Sequence, residues 1–226
     1  MRTDSGPSRN IANYYLSDKY MKKISFVLCC CMAAMGLTSC LFDEDENKEL
    51  TPQDISQSFN AIKGNHSGSL LYENHNPNDP TDNVDTLEIA WSVTADTTVV
   101  ISQFPQAVIL DRIADQDLKE ALEQAEPAPL KALIGFYQVD PIGFRLYPFP
   151  VEYDIEYQNA AHKAKLIFWI NNYSYGQYDA SSRAFRMQMM LAGLYLDENE
   201  SRSYLTNIEY DNSSIPIVIT NVNLNK

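Results

Sequence analysis

Apolar and polar positions follow two different periods along this chain. Between residues 51 and 64 the period is helical. Thr51-Pro52-Gln53-Asp54 reads as a helix start, with a hydroxyl N-cap, proline in the first turn and an acid at the positive end of the dipole. Ile55, Phe59 and Ile62 then recur at helical spacing, and Gly64 closes the segment. From residue 69 the period becomes two. Residues 69–74, 87–93 and 98–104 read as strands, separated by a polar, proline-bearing loop over 74–83. In the second strand Leu87, Ile89, Trp91 and Val93 alternate with Glu88, Ala90 and Ser92. Such alternation places one sheet face on a core and the other in water. Residues 105–125 turn helical again, with Asp115 as an N-cap and Leu118, Ala121, Leu122 and Ala125 on one stripe; Pro127 and Pro129 end it.

The carboxyl half is richer in strands. Residues 130–139 and 142–147 supply two. Val151, Tyr153, Ile155 and Tyr157 face one way, and Glu152, Asp154 and Glu156 the other. After Asn159-Ala160 the pattern returns as Ala164, Leu166, Phe168 and Ile170 against Lys163 and Lys165. A hairpin with Gln158 opposite Ala161 sets Glu156 against Lys163, Asp154 against Lys165 and Tyr153 against Leu166. A slip of one residue would turn the lysines onto the apolar face, so the pattern predicts this register. Phe185, Met187, Met189 and Leu191 open another strand that runs through Leu196, and residues 203–210 and 215–224 supply the last two. Pro216 predicts that the final strand begins at a sheet edge. The sum is about nine strands and two or three helices: an α+β fold, mainly antiparallel β, as a meander sandwich or open barrel with helices on one side. Gly64-Asn65-His66-Ser67-Gly68-Ser69-Leu70 resembles the opening turn of calycin-like barrels, which makes such a barrel the alternative architecture.

The amino end carries an address. Met21-Lys22-Lys23 is a basic n-region, and residues 24–36 form an apolar h-region of 13 residues. Leu37-Thr38-Ser39-Cys40 follows, and these four residues resemble the lipobox of bacterial lipoproteins. The resemblance implies cleavage before Cys40 by the lipoprotein signal peptidase and a diacylglycerol thioether on the Cys40 sulfur. Each buried methylene adds about 0.8 kcal/mol, and two or more chains make such anchoring stable. The competing reading is an uncleaved membrane helix over 24–42, which is long enough to span; the small-residue box that ends in cysteine favours cleavage. The chain then divides into an upstream extension (1–20), a signal peptide (21–39), an acidic tether (40–50) and one mainly-β domain (51–226).

Charge and cysteine usage narrow the choice further. Thirty acidic and 17 basic residues give a net charge of −13. Residues 1–39 hold five of the basic residues and two of the acidic ones, so the mature chain carries 12 and 28, a net of −16. Such a balance excludes general nucleic-acid binding, which needs a basic footprint. Anionic head groups would also repel it, which leaves the acyl chains as its tie to a membrane. The cysteines are Cys29, Cys30, Cys31 and Cys40, so the domain has neither a disulfide nor a thiolate metal site. The acidic run in 43–46 resembles surface-export tags of lipoproteins from Bacteroidetes-type bacteria. That resemblance implies an outer-membrane, surface-exposed location before a periplasmic one.

Familiar catalytic signatures are missing: no nucleophile elbow, phosphate loop, dinucleotide fingerprint or zincin helix. His66, His75 and His162 are scattered over different segments, so neither a metal nor a cofactor is expected. Residues 76–85 offer hard oxygen ligands without the glycine and closing glutamate of a calcium loop. Glu152, Asp154 and Glu156 repeat at about 6.6 Å, a spacing that an inverting glycosidase could use, but the lysines set opposite them suit a salt-bridged solvent face better. Residues 169–179 are the most suggestive stretch. Trp169, Tyr173, Tyr175 and Tyr178 interleave with Asn171, Asn172 and Asp179. Flat rings stack on apolar sugar faces while amides and a carboxylate bond hydroxyls, and the same residue types suit protein interfaces. Asp85-Thr86-Leu87 and Asp96-Thr97-Thr98 resemble the O-glycosylation motif of Bacteroidetes, which implies Thr86 and Thr97 as acceptors.

The expectation is therefore a lipid-anchored, non-enzymatic domain that binds a glycan, peptide or partner protein. An envelope hydrolase built on the β-strand acids is the second choice, and a purely structural or assembly protein is the third. Cys40→Ser should abolish labelling by radioactive palmitate and release the protein from the membrane fraction. Undiminished labelling of the variant would refute the anchor.

Overall fold

A computed structural model describes residues 49–73, 84–197, 199, 201–206 and 215–222. The segments 1–48 and 74–83, with Cys40, His75 and the acidic run, lie outside the described residues.

Helix α1 (Pro52–Ile62) starts as the sequence requires. The Thr51 hydroxyl accepts the Asp54 N–H at 3.2 Å, and Asp54 returns a carboxylate to the Thr51 N–H at 2.9 Å. This reciprocal capping box satisfies two helix-end donors at once. Ile62 is fully buried and Phe59 packs beside the core, while Ile55 stays exposed. Gly64 closes the helix as the residue directly after the C-cap, Lys63. It opens strand β1 (Gly64–Glu73) at φ 124°, a conformation that suits glycine.

Strands β2 (Val84–Val93), β3 (Thr98–Phe104), β4 (Ala128–Val139) and β5 (Ile142–Pro148) follow as an antiparallel meander. Two short helices, α2 (Ala107–Leu110) and α3 (Gln116–Glu123), lie between β3 and β4. Asp115 caps α3 by accepting the Leu118 N–H at 3.0 Å, and Leu118 and Leu122 carry its buried stripe. Next come β6 (Val151–Tyr157), β7 (Ala160–Trp169), β8 (Tyr175–Asp179), β9 (Ala184–Leu196) and β10 (Ile215–Thr220). In space β5 pairs with β8, β8 with β9, β9 with β10 and β10 with β1. That last pairing closes an eight-stranded antiparallel barrel, the calycin-like alternative, in place of a sandwich or an open sheet. The β6–β7 hairpin is inserted between β5 and β8. It extends the wall along the second half of β9, and α3 packs on β6.

The interior is filled with side chains. Phe185 is a hub, with ring centres of His66, Trp91, Tyr178 and Phe144 at 4.9, 5.5, 5.6 and 5.9 Å. Aromatic pairs of this kind contribute about 0.5–1.5 kcal/mol each beyond burial. Gly176 leaves the space that Phe144 occupies, because a β-carbon there would sit 2.1 Å from the ring.

Three details differ from the sequence reading. The β6–β7 hairpin pairs Tyr157 with Ala160, Asp154 with Lys163, Glu152 with Lys165 and Val151 with Leu166, two residues away from the expected register. Its turn is Gln158-Asn159, both at positive φ (52° and 61°), whereas the expected turn would have forced Ala160 into that region. A two-residue hairpin needs both central residues left-handed, which asparagine tolerates better than alanine. The faces survive because a shift of two preserves parity. Pro216 is not on an edge strand: β10 lies between β9 and β1. The proline is accommodated because the β1 ladder begins only at Ile217, so Pro216 has β9 alone beside it. Finally, residues 203–206 form no strand. Leu205 makes one isolated bridge to Ile113, and 207–210 lie outside the described residues.

The barrel closes where β1 meets β10, and Gly68 sits at that seam. A β-carbon there would lie 2.2 Å from the Thr220 carbonyl oxygen. We expect Gly68→Ala to destabilise the domain by about 1–3 kcal/mol in urea unfolding, with the neighbouring exposed Ser67→Ala near neutral. Equal stability of both variants would contradict this closure.

Candidate functional site

Outward positions on β4, β5 and β8 carry large, mostly apolar side chains where a solvated face would be polar. On β4 these are Leu133 and Tyr137, and on β5 they are Arg145 and Tyr147, with Phe149 just beyond. Register fixes their neighbours: Leu133 faces Tyr147, and Arg145 faces Tyr175. Tyr175 in turn faces Gln188 on β9, and Trp169 faces Met190. All of them alternate with core residues such as Leu146, Phe144, Gly176 and Met187, so they lie outside the barrel.

Two rings occupy space that glycines leave open. A β-carbon at Gly143 would be 2.9 Å from the Tyr137 ring, and one at Gly135 would be 3.1 Å from the Tyr147 ring. Each ring thus has part of its edge against the backbone and the rest in reach of solvent. Tyr137 is 49% exposed and Tyr147 38% exposed. The Arg145 guanidinium lies 5.9 Å from the Tyr137 ring centre, within cation–π range, and donates from Nη1 to Asn172 Oδ1. Partial burial raises the Tyr137 hydroxyl above the ordinary phenol value, against the opposite pull of Arg145. Tyr175 is raised mainly by burial and secondly by Tyr137.

Residues 170–174 interrupt what would otherwise be one continuous strand, β7 then β8, along the same edge of β9. The excursion is held at its base. Ser174 is buried and donates its hydroxyl to the Trp169 carbonyl at 2.7 Å, and Gln188 donates to the Tyr173 carbonyl at 2.9 Å. Trp169, Ile170 and Tyr173 project from it, at least half exposed. Asn171 accepts the Tyr173 N–H at 2.9 Å.

The seven residues singled out in 169–179 therefore separate. Trp169, Asn171, Asn172, Tyr173 and Tyr175 share the outer surface. Tyr178 points inward onto Phe185. Asp179 is tied into the β8–β9 turn, accepting Ser181 N–H and the hydroxyls of Ser181 and Ser182 at 2.7–2.8 Å. Leu133, Tyr137, Arg145, Tyr147 and Phe149 were missed. Their signal was a pair of strands apolar on both parities, Leu133 and Tyr137 alternating with Leu130, Ala132 and Ile134.

The other candidates fall elsewhere. Lys163 Nζ donates to Asp154 at 2.9 Å and lies 3.7 Å from Glu152, and its pKa is raised first by the Asp154 hydrogen bond. Glu156 is exposed opposite Ala161. His66 is part of the barrel core cluster, with Nε2 2.8 Å from the Ile62 carbonyl. His162 pairs with Asp197 at 2.9 Å. Among the described residues no group of three His, Cys, Asp or Glu could hold a metal. Thr86 is exposed on β2, while Thr97 is half-buried in a turn and donates to the Asp96 carbonyl at 2.6 Å. On the barrel's outer side Arg186 is buried, and its Nε, Nη1 and Nη2 have no hydrogen-bond partner among the described residues.

These features define a closed antiparallel eight-stranded barrel with a filled interior and an aromatic outer wall. Residues 61–196 match the family described as a domain of unknown function, DUF4840, and the chain belongs to it. The match runs from the end of α1 through β9 and takes in the whole aromatic wall. No curated protein matches the chain. No solved structure does either.

The turn assigns Asp179 a measurable signature. Its three donors, the Ser181 hydroxyl first, lower its pKa from 3.8 to about 2. A carboxyl depressed on folding stabilises the fold above its unfolded value and loses that contribution as pH falls through the folded one. We expect an NMR midpoint of about 2 for Asp179 and loss of the corresponding stability between pH 3.8 and 2, both absent in Asp179→Asn. A midpoint at the ordinary value would show the carboxylate free to meet a ligand.

Proposed function

We propose that this protein is a lipid-anchored envelope domain, without catalytic activity, that captures a glycan, peptide or partner protein on the outer wall of its barrel. The anchor is the Cys40 acyl group, and the location is the outer membrane, facing outward. One observation carries the binding role. Of the ten large apolar side chains exposed among the described residues, seven gather around Arg145: Leu133, Tyr137, Tyr147, Phe149, Trp169, Ile170 and Tyr173. Scattered exposed apolar residues need no explanation, but a contiguous patch marks an interaction site.

The hydrolase reading loses support from Lys163, which engages both Asp154 and Glu152 on an exposed strand face. A general acid needs a carboxyl shielded from such a partner. The assembly reading retains one specific support, the aliphatic exposure of Ile170 and Leu133 within the patch, which suits a protein partner.

The test is a combined glycan and peptide array probed with the mature chain and with Tyr147→Ala and Trp169→Ala. Both side chains are largely exposed, so folding should be unaffected. We expect each variant to lose about tenfold in affinity for whatever the wild type binds, which corresponds to about 1.4 kcal/mol. Full retention of binding by both variants would move the site away from this wall.

A further inference from the structure

The wall has a charge character opposite to that of the chain. Thirty acids outnumber 17 bases overall. Yet the outward strand positions on β4, β5, β8 and β9 around the patch hold Lys131, Arg145 and Arg186, and their one acid is Asp179 at the far end of β8. That acid is consumed by Ser181 and Ser182. Lys131 lies close enough to Asp96, in the β2–β3 turn, to lower its pKa. Arg145 is different: it is exposed, has the Tyr137 ring within cation–π range and Tyr175 as its cross-strand partner, and pairs with no carboxylate among the described residues.

We propose that the wall recognises a sugar bearing a single carboxylate, a hexuronate flanked by neutral sugars. The inference rests on the binding role assigned above and names its ligand class. Tyr147 and Tyr137 sit over Gly135 and Gly143 and remain 38% and 49% exposed, which leaves ring surface open to a sugar's apolar face. Asn172 fixes Arg145 from Nη1 and leaves the rest of the guanidinium fork for an incoming anion. A planar guanidinium takes a carboxylate in bidentate fashion, and these charge-assisted bonds are roughly twice as strong as neutral ones. The exposed amides of Asn171 and Asn172 stand beside it for hydroxyls. The single exposed guanidinium of Arg145 on this wall, against a net charge of −16 for the chain after removal of residues 1–39, sets the limit on ligand charge. A dense polyanion would be repelled by the surrounding acids, whereas one carboxylate is matched.

The experiment compares a glucuronate-capped, otherwise neutral oligosaccharide with its carboxyl-reduced, glucose-capped twin, titrated by calorimetry into the mature chain, Arg145→Gln and Tyr147→Ala. Circular dichroism confirms that all three proteins are folded. We expect the wild type to prefer the acidic sugar at least tenfold. Arg145→Gln should erase the preference, bringing the acidic sugar down to the affinity of its twin, and Tyr147→Ala should weaken both sugars about equally. Equal affinity of the wild type for the two sugars overturns the carboxylate assignment and leaves a neutral-glycan wall standing. Binding of neither sugar, with peptides still captured through Trp169, overturns the glycan assignment and leaves the binding wall itself intact. A preference that persists in Arg145→Gln places the carboxylate elsewhere and overturns the role of Arg145.

Discussion

Strand β9 needs partners on both of its edges, and the architecture follows from how it gets them. Its residues are buried along nearly its whole length, with Phe185, Met187 and Met189 on the inner face and Arg186, Gln188 and Met190 on the outer one. A buried strand cannot leave amides and carbonyls unpaired without cost. One edge is supplied by β8 and then β7, and the other by β10. Because β10 also pairs with β1, satisfying β9 closes the barrel. Closure in turn removes the edges that an open sheet would offer to other chains. It also sorts every neighbouring side chain as inward or outward, and this sorting makes the aromatic wall a surface.

With the interior packed around Phe185, the outer wall is where chemistry is on offer. The rings of Tyr137 and Tyr147 rest on glycines, so part of their freedom is already lost before any ligand arrives. A platform held this way forfeits less entropy on binding than free side chains would. The five-residue excursion between β7 and β8 adds Trp169, Ile170 and Tyr173 at the margin, and its Ser174 and Gln188 bonds hold it to the barrel. The inserted β6–β7 hairpin lies beyond that excursion, with its acids and Lys163 engaged with one another.

Much of the fold was legible because local signals agreed with it. The N-cap at Thr51, the Asp115 cap and the parity of Val151, Tyr153, Ile155 and Tyr157 all stand as read. Closure was not legible, since nothing local in β10 announces that β1 and β9 will both claim it. Pro216 argued for an edge, and only the ladder's actual end shows why it is tolerated. The hairpin register turned on whether Gln158 or Ala160 would occupy the left-handed turn, a choice that binary patterning leaves open because both options keep the faces. The site was half legible. A cluster of aromatics and amides at 169–179 stood out, but parity within β8 sends Tyr178 inward, and Arg145 and Tyr147 reach the cluster only through the β5–β8 pairing.

The most direct test of this arrangement is a set of cross-strand proton NOEs across the β1–β10 seam in the mature chain. A closed barrel gives NOEs that link Leu70 with Ile219 and Tyr72 with Ile217, with the amides between them slow to exchange. An open sheet or a sandwich would show neither the NOEs nor the protection, and the outer wall would lose its foundation.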